Sequence, residues 1–411
     1  MIKLIRINKD KIMKPIINSL LDTDLYKFTM QQCALRQFSD VWVRYVFRSR
    51  NILEWTEDMH KELLKQVKYF CDLRFRKDEL EYLASLRFIK KDYIEFLKLY
   101  RPLAEHIKAL FDDNKLTVEI EGPWYQTILW EIPVLAMISE IYYAYTVCKD
   151  DNGKRAYEQA EINLIRKIDE KLLPIHKSDN GFRFSEFGTR RRFSFDWQRK
   201  VVNILKDKLP AECLVGTSNV YFAKTYDLLA VGTNAHEYYQ IGQALDKVRL
   251  AESQKFMLQS WVNEYRGDLG IALSDTLGTD KFLKDFDLYF AKLYDGIRHD
   301  SGDPFEWGYK VINHYKNLRV NPKTKTLLFS DSLNFDKAYN IYREFKEETN
   351  VTFGIGTYIT NDFEPVAKPL NIVMKLQSVN GKPVAKLSDD EGKTICEDEA
   401  FLNYLKIVAK E

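Results

Sequence analysis

Between residues 184 and 355 the sequence repeats one rhythm: a short apolar run ends at or near Gly, Ser, Thr or Asp, and a helix-like stretch follows. The runs close at 184–188, 213–216, 228–232, 271–275, 294–298, 326–330 and 352–355. Such alternation calls for parallel strands joined by helical crossovers. Seven units in about 200 residues predict an α/β fold, an irregular TIM-like barrel with one strand irregular or missing. A doubly wound open sheet has the same periodicity.

The flanks break this rhythm. A helix is expected over 22–38 with Asp22 or Thr23 as its cap, then a strand over 41–47. A charged helical region follows over 55–111, and a short strand over 117–121 ends at Gly122-Pro123. Such a mixture is an α+β layer. Near the C-terminus, 371–376 and 382–387 flank Asn380-Gly381, a strong hairpin signal. That hairpin is expected to rejoin the first domain. A chain of 411 residues exceeds one small core. The expected division is therefore 1–145 plus 371–411 as an α+β domain and 146–370 as the barrel. The polar run 149–155, with Asp150, Asp151, Asn152 and Gly153, marks the boundary.

Composition excludes several classes. The 62 Lys+Arg nearly balance 60 Asp+Glu, which argues against nucleic acid as a partner. Cys33, Cys71, Cys148, Cys213 and Cys396 are scattered, with neither zinc nor disulfide spacing, so a reduced cytoplasmic setting is expected. Residues 1–15 are basic but carry no apolar core of a secretory signal. The apolar stretch 124–145 is interrupted by Glu131, Pro133 and Glu140, and reads as a buried helix and not a membrane span.

The strand ends carry the chemistry. Glu186-Phe187-Gly188-Thr189 leads into Arg190-Arg191-Arg192; Gly216-Thr217-Ser218-Asn219 and Gly232-Thr233-Asn234-Ala235-His236-Glu237 follow. Backbone N–H groups, hydroxyls and arginines at such junctions suit phosphate oxygens. A lone histidine at a helix start is commonly a structural cap. His236 instead shares the catalytic end of the strands with the arginines, and neutral imidazole attacks phosphorus when a carboxylate fixes its tautomer. Asp275, at another strand end, is the better orienting candidate; Glu237, adjacent in sequence, is a second. In Arg298-His299-Asp300-Ser301-Gly302-Asp303-Pro304, Asp303 or Ser301 caps a helix that begins at Pro304. That leaves Arg298 for a carboxylate or phosphate and Asp300 for a magnesium ion holding pyrophosphate. Asp331 is a candidate acceptor for ribose hydroxyls. Gly354, Gly356 and Thr357 suit a terminal phosphate. Tyr26 and Phe187 offer two faces for a flat ring. No Walker A pattern and no glycine-rich dinucleotide fingerprint is present.

Taken in order from about residue 16 onward, these motifs resemble the nicotinate phosphoribosyltransferase family. They include Asp22-Thr23-Asp24-Leu25-Tyr26-Lys27, Phe353-Gly354-Ile355-Gly356-Thr357 and the stretch from Lys368 to Ser388. The resemblance implies a type II phosphoribosyltransferase that makes nicotinate mononucleotide and pyrophosphate from nicotinate and phosphoribosyl pyrophosphate. It implies coupled ATP hydrolysis through a phosphohistidine at His236, Mg2+, and an irregular barrel with an α+β N-terminal domain. Tyr26, Thr233 and Arg298 match nicotinate positions, Thr357 matches a phosphoribose position, and Arg190 is assigned to phosphates. A homodimer with shared active sites is implied, with Tyr26 serving the neighbouring subunit.

Glu186 departs from the Asp of many relatives. Asn219 stands where nicotinamide-using relatives are expected to carry an acid, so nicotinate is favoured and Asn219→Asp is expected to weaken its use. Transfer to nicotinamide or quinolinate on a related barrel is the near alternative. A non-catalytic sensor is the distant one, opposed by the intact His236, Arg298 and Asp300.

Overall fold

A computed structural model describes residues 13–50, 53–149, 152–390, 394 and 396–410. The basic segment 1–12 and Asp150-Asp151 of the polar run lie outside the described residues; the helix Asn152–Lys167 begins inside that run, so its second half is helical and not a turn.

Two sheets form the framework. An antiparallel sheet contains β1 (Trp42–Ser49), β2 (Ile107–Asp112) and β3 (Lys115–Pro123). The parallel sheet contains β4 (Phe184–Glu186), β5 (Leu214–Thr217), β6 (Leu229–Ala230), β7 (Ile271–Leu273), β8 (Gly296–His299), β9 (Thr326–Phe329) and β10 (Asn350–Ile355). All seven sequence-predicted runs are strands. Their order is β6-β5-β4-β10-β9-β8-β7, every neighbouring pair being parallel. The sheet curls as an incomplete barrel whose edge strands are β6 and β7. At that seam the Thr233 hydroxyl donates to Ile271 O at 2.9 Å. Parallel strands are covered on both faces, which is why β9 reads Thr-Leu-Leu-Phe with three buried residues.

The C-terminal hairpin behaves as its turn residues require. Asn380 and Gly381 adopt φ of 49° and 76°, the left-handed pair of a tight hairpin turn. They join β11 (Ile372–Val379) to β12 (Lys382–Pro383). β11 pairs antiparallel with β1 from Ser49↔Ile372 to Val43↔Val379, giving the order β12-β11-β1-β3-β2. The second arm is shorter than 382–387, because Pro383 has no N–H and the chain then leaves the sheet.

Two local expectations need correction, and the reading of 124–145 as a buried helix stands. The region 55–111 holds three α-helices and a short 3-10 turn, but its end is β2, whose alternating Ile107, Ala109 and Phe111 are half-buried against exposed neighbours. Asp24, not Asp22 or Thr23, occupies the cap position of the helix Leu25–Gln37, and no side chain caps it. Asp22 is taken by Arg192. The apolar helical stretch Trp124–Thr146 is long enough to cross a membrane by composition, yet 83% of its window is buried inside this protein.

Arg192 is fully buried and binds Asp22 bidentately, Nη1 to Oδ1 at 2.7 Å and Nη2 to Oδ2 at 2.8 Å. Its Nε donates to Glu140 at 2.9 Å, and its carbonyl accepts from Ser139 Oγ at 2.7 Å. One guanidinium thus ties the N-terminal segment, the helix Glu131–Thr146 and the loop after β4. Burial pushes the Glu140 carboxyl up to about 7, against the pull of Arg192. Removing the cation leaves two carboxylates buried without it, so Arg192→Met is expected to cost about 3–5 kcal/mol. Urea denaturation of the variant beside wild type measures this.

Candidate active site

A cavity of about 820 Å3 opens at the C-terminal ends of the parallel strands. Its floor is set by the seam. Gly232 follows β6 with φ of 151°, and its Cα lies close against Tyr26, where an added Cβ would stand 3.1 Å from the Tyr26 amide nitrogen. The turn it permits leads through Thr233 to His236, the first residue of the helix His236–Gly242.

His236 Nε2 lies 2.7 Å from Asp275 Oδ1, and Asp275 is 1% exposed. Asp275 Oδ2 accepts from Ser301 Oγ at 2.5 Å and pairs with Lys386 Nζ at 2.7 Å. Burial and the Lys386 ammonium hold the imidazole below its ordinary pKa, against Asp275. Burial alone would raise Asp275, but His236 and Lys386 hold it well below the carboxylate range. The carboxylate is therefore an anion that accepts a proton-bearing Nε2, and Nδ1 keeps its lone pair. Asp300 Oδ2 lies 3.7 Å from the same Nε2.

Arg298 reaches the cavity from β8. Its Nη1 donates to Asn234 O at 3.3 Å and its Nη2 lies 3.6 Å from Asp300 Oδ1. Its buried Nε has no hydrogen-bond partner among the described residues. Against burial, Arg298, His236 and Lys386 keep Asp300 ionised. Ligand atoms of His236, Asp275 and Asp300 lie within 4.8 Å of one another.

Phe187 and Tyr26 line the cavity together in one chain. Gly354 explains where the Phe187 ring lies: a Cβ at 354 would stand 2.2 Å from it, and one at 356 would stand 2.8 Å from the Phe187 carbonyl. Thr357, Asp331 and Arg190 also line the cavity.

Residues 182–410 match the nicotinate phosphoribosyltransferase (NAPRTase) family, and residues 21–139 match the N-terminal domain of that family. The chain belongs to the nicotinate phosphoribosyltransferase family. A relative from Chromobacterium violaceum, named nicotinate phosphoribosyltransferase, is 49% identical over 401 residues, covering 96% of this chain and 98% of its own. One of the same name from Acinetobacter baumannii is 47% identical, with the same coverage. Among solved structures, the nicotinate phosphoribosyltransferase from Vibrio cholerae superposes with TM-score 0.88 at 36% identity, covering 97% of this chain and 95% of that one. The one from Porphyromonas gingivalis gives 0.86 at 34%, covering 96% and 100%.

Within this family fold, two expected site residues take other places. Asn219 does not line the cavity. It is fully buried, caps the helix Val220–Tyr226 through Phe222 N at 3.1 Å, and donates to Asp22 Oδ1 at 2.8 Å. The preceding Ser218 faces the cavity instead, its hydroxyl donating to Asp24 Oδ1 at 2.7 Å. Glu237 touches the cavity wall, but its oxygens are held by Lys27, by Tyr45 Oη at 3.3 Å and by Trp124 Nε1 at 3.2 Å. It anchors a helix and does not orient His236. Glu186 stays beneath the turn, accepting from Thr217 Oγ1 at 2.6 Å and Gly188 N at 2.5 Å.

Sequence reasoning missed Arg50, Lys375 and Lys386, all on the cavity wall. Lys375 follows from pairing β11 with β1, which no local signal contains.

Two substitutions test these placements. Asn219→Asp sets a second carboxylate against Asp22, so it is expected to destabilise the fold by at least about 2 kcal/mol. The surviving folded enzyme is expected to keep its choice of aromatic acceptor, as thermal melts and acceptor kinetics would report. Gly354→Ala displaces the Phe187 ring, with an expected rise of about tenfold or more in the acceptor KM in steady-state assays.

Proposed function

We propose that the enzyme joins nicotinate to the ribose of phosphoribosyl pyrophosphate and couples this step to ATP through phosphorylation of His236. Family membership supports the transfer. The single observation that carries the coupling is the His236 Nε2–Asp275 Oδ1 contact of 2.7 Å, which leaves Nδ1 as the nucleophilic nitrogen.

The residues divide the work by chemistry. Nicotinate is a flat anion: Phe187 and Tyr26 offer ring faces, and Arg298 offers a guanidinium with an unused Nε donor. The pyridine nitrogen attacks C1 of the ribose with its lone pair. The C1–O bond breaks as its electron pair departs with pyrophosphate, and positive charge develops on the sugar. Arg190, Arg191, Arg50 and Lys375 line the cavity where departing anionic oxygens need cations. Gly356 and Thr357 remain the candidate cradle for the ribose phosphate, and Asp331 for its hydroxyls.

Asp300 fits Mg2+, being a hard oxygen ligand that is ionised and faces the cavity. Bound there, the metal would neutralise pyrophosphate charge. We also assign a homodimer and a cytoplasmic setting, the first from the family resemblance and the second from five free cysteines. Tyr26 lines the cavity of its own chain, so Tyr26 and His236 can serve one site without exchange. The product class places the enzyme in salvage of the pyridine ring toward NAD.

Incubation with ATP and Mg2+ is expected to add one acid-labile phosphoryl group, read as a mass shift, and His236→Asn is expected to abolish it. Phosphoribosyl transfer in that variant is expected to lose its stimulation by ATP. A wild-type protein that never gains the phosphoryl group would remove the coupling and leave the transfer reading standing. Competition among nicotinate, nicotinamide and quinolinate is expected to show nicotinate as the preferred acceptor.

A further inference from the structure

After β12 the tail crosses the mouth of the barrel as a strap. Ala385 exchanges two hydrogen bonds with Gln243, at 2.7 and 2.9 Å. Leu387 N donates to Thr276 O at 2.8 Å. Asp389 accepts from Thr279 N and Oγ1 at 2.9 and 2.7 Å, and its own N–H donates to Ser301 Oγ at 3.1 Å. Gly302 N donates to Asp390 Oδ1 at 3.1 Å. The strap is thereby pinned to the loops after β7 and β8 and to the end of the helix bearing His236. It delivers a cation to the cavity, Lys386.

Lys386 Nζ sits 2.7 Å from Asp275 Oδ2, on the oxygen not used by His236. That oxygen also accepts from Ser301 Oγ. The lysine can therefore leave the carboxylate without orphaning it. The charged groups facing His236 are Asp275, Asp300, Lys386 and Arg298, two of each sign. A phosphoryl group on the ring adds about two negative charges, and a cation must move to meet them. Arg298 is held by Asn234 O and Asp300. Lys386 is a compact ammonium on a flexible stem, with its present acceptor already shared.

We propose that Lys386 is a catalytic cation of phosphoryl capture, leaving Asp275 for the oxygens of the phosphoryl group as His236 receives it. The proposal rests on the ATP-coupled reading above. The Nδ1–P bond forms while the bond from the γ-phosphorus to its bridging oxygen breaks, and that electron pair leaves with ADP. The Nε2 proton stays on the ring, shared with Asp275, so no proton is lost. Lys386 compensates charge on the transferring oxygens, and the strap fixes where that charge is available.

The test is single-turnover phosphoenzyme formation by the full-length protein with ATP and Mg2+. Lys386→Gln is expected to slow the maximal rate about 100-fold, with the ATP concentration at half-saturation within about threefold. Lys386→Arg, which restores a cation, is expected to recover about tenfold of that loss. Lys386→Met, measured in parallel with thermal melts, guards against an unfolded Gln variant. Wild-type rates in both neutral variants would overturn the assignment. So would an Arg variant no faster than Gln, or a loss confined to ATP half-saturation. A wild-type enzyme that never forms phosphoenzyme overturns the coupling and this role together, while ATP-independent phosphoribosyl transfer, assayed alongside, tells that failure apart.

Discussion

The Lys27 ammonium is completely buried between Glu131 and Glu237, 2.5 Å from the Glu131 carboxylate. Tyr45 and Trp124 complete the shell around Glu237. This arrangement sets the site, because each buried partner sits beside a cavity residue: Lys27 after Tyr26, and Glu237 after His236. Tyr26 and His236 line the cavity, Lys27 lies wholly inside the ion cluster, and Glu237 belongs to both. Breaking such a pair strands a buried charge at a cost of about 3–5 kcal/mol. The relative placement of an aromatic wall and the histidine is thereby fixed by electrostatics well outside the reacting atoms.

The seam of the barrel has the same logic. β6 is two residues long and has no strand partner on its far side among the described residues. A closed barrel would bring ladder hydrogen bonds across this gap. Here the N-terminal segment fills it: Leu25 N donates to Ser218 O at 2.8 Å, and Thr29 Oγ1 donates to Thr233 O at 2.6 Å. The barrel and the N-terminal helix therefore need each other, and a single continuous core runs through both. His236, at the start of the helix after β6, meets Asp275 from beyond β7 across this seam.

These dependencies explain what could be read in the chain. The seven strand ends were legible because buried parallel strands need short apolar runs, and their loops need small polar residues. His236 with Asp275, Phe187 and Arg298 followed from chemistry at those ends. Asn219 and Ser218 were not separable, since both are small, polar and at a helix start; only the turn decides which one faces the cavity. Arg192 looked like its two neighbours, yet it is the buried one, because its partners Asp22 and Glu140 lie 170 and 52 residues away. Lys375 and Lys386 come from the tail through sheet pairing and a strap, and pairing at that range leaves no local pattern.

The cavity's cations show why the fold tolerates so much unfavourable charge there. Burial, then Arg190 and Arg50, pulls Arg191 down to about 9. Burial, then Arg50, Lys386 and Arg48, pulls Lys375 down to about 8. Burial among other cations is a cost to the fold at these two groups, since Arg191 and Lys375 would each hold a proton more tightly in water. Local conflicts of this kind gather at functional sites and are offset elsewhere, here by the buried pairs of Arg192 and Lys27. A polyanion entering the cavity would attract all of these cations at once and offset their mutual repulsion. The same charges that cost the fold stability would then hold a phosphate-bearing ligand, which is the physical sense of a cationic lining beside Asp300 and His236.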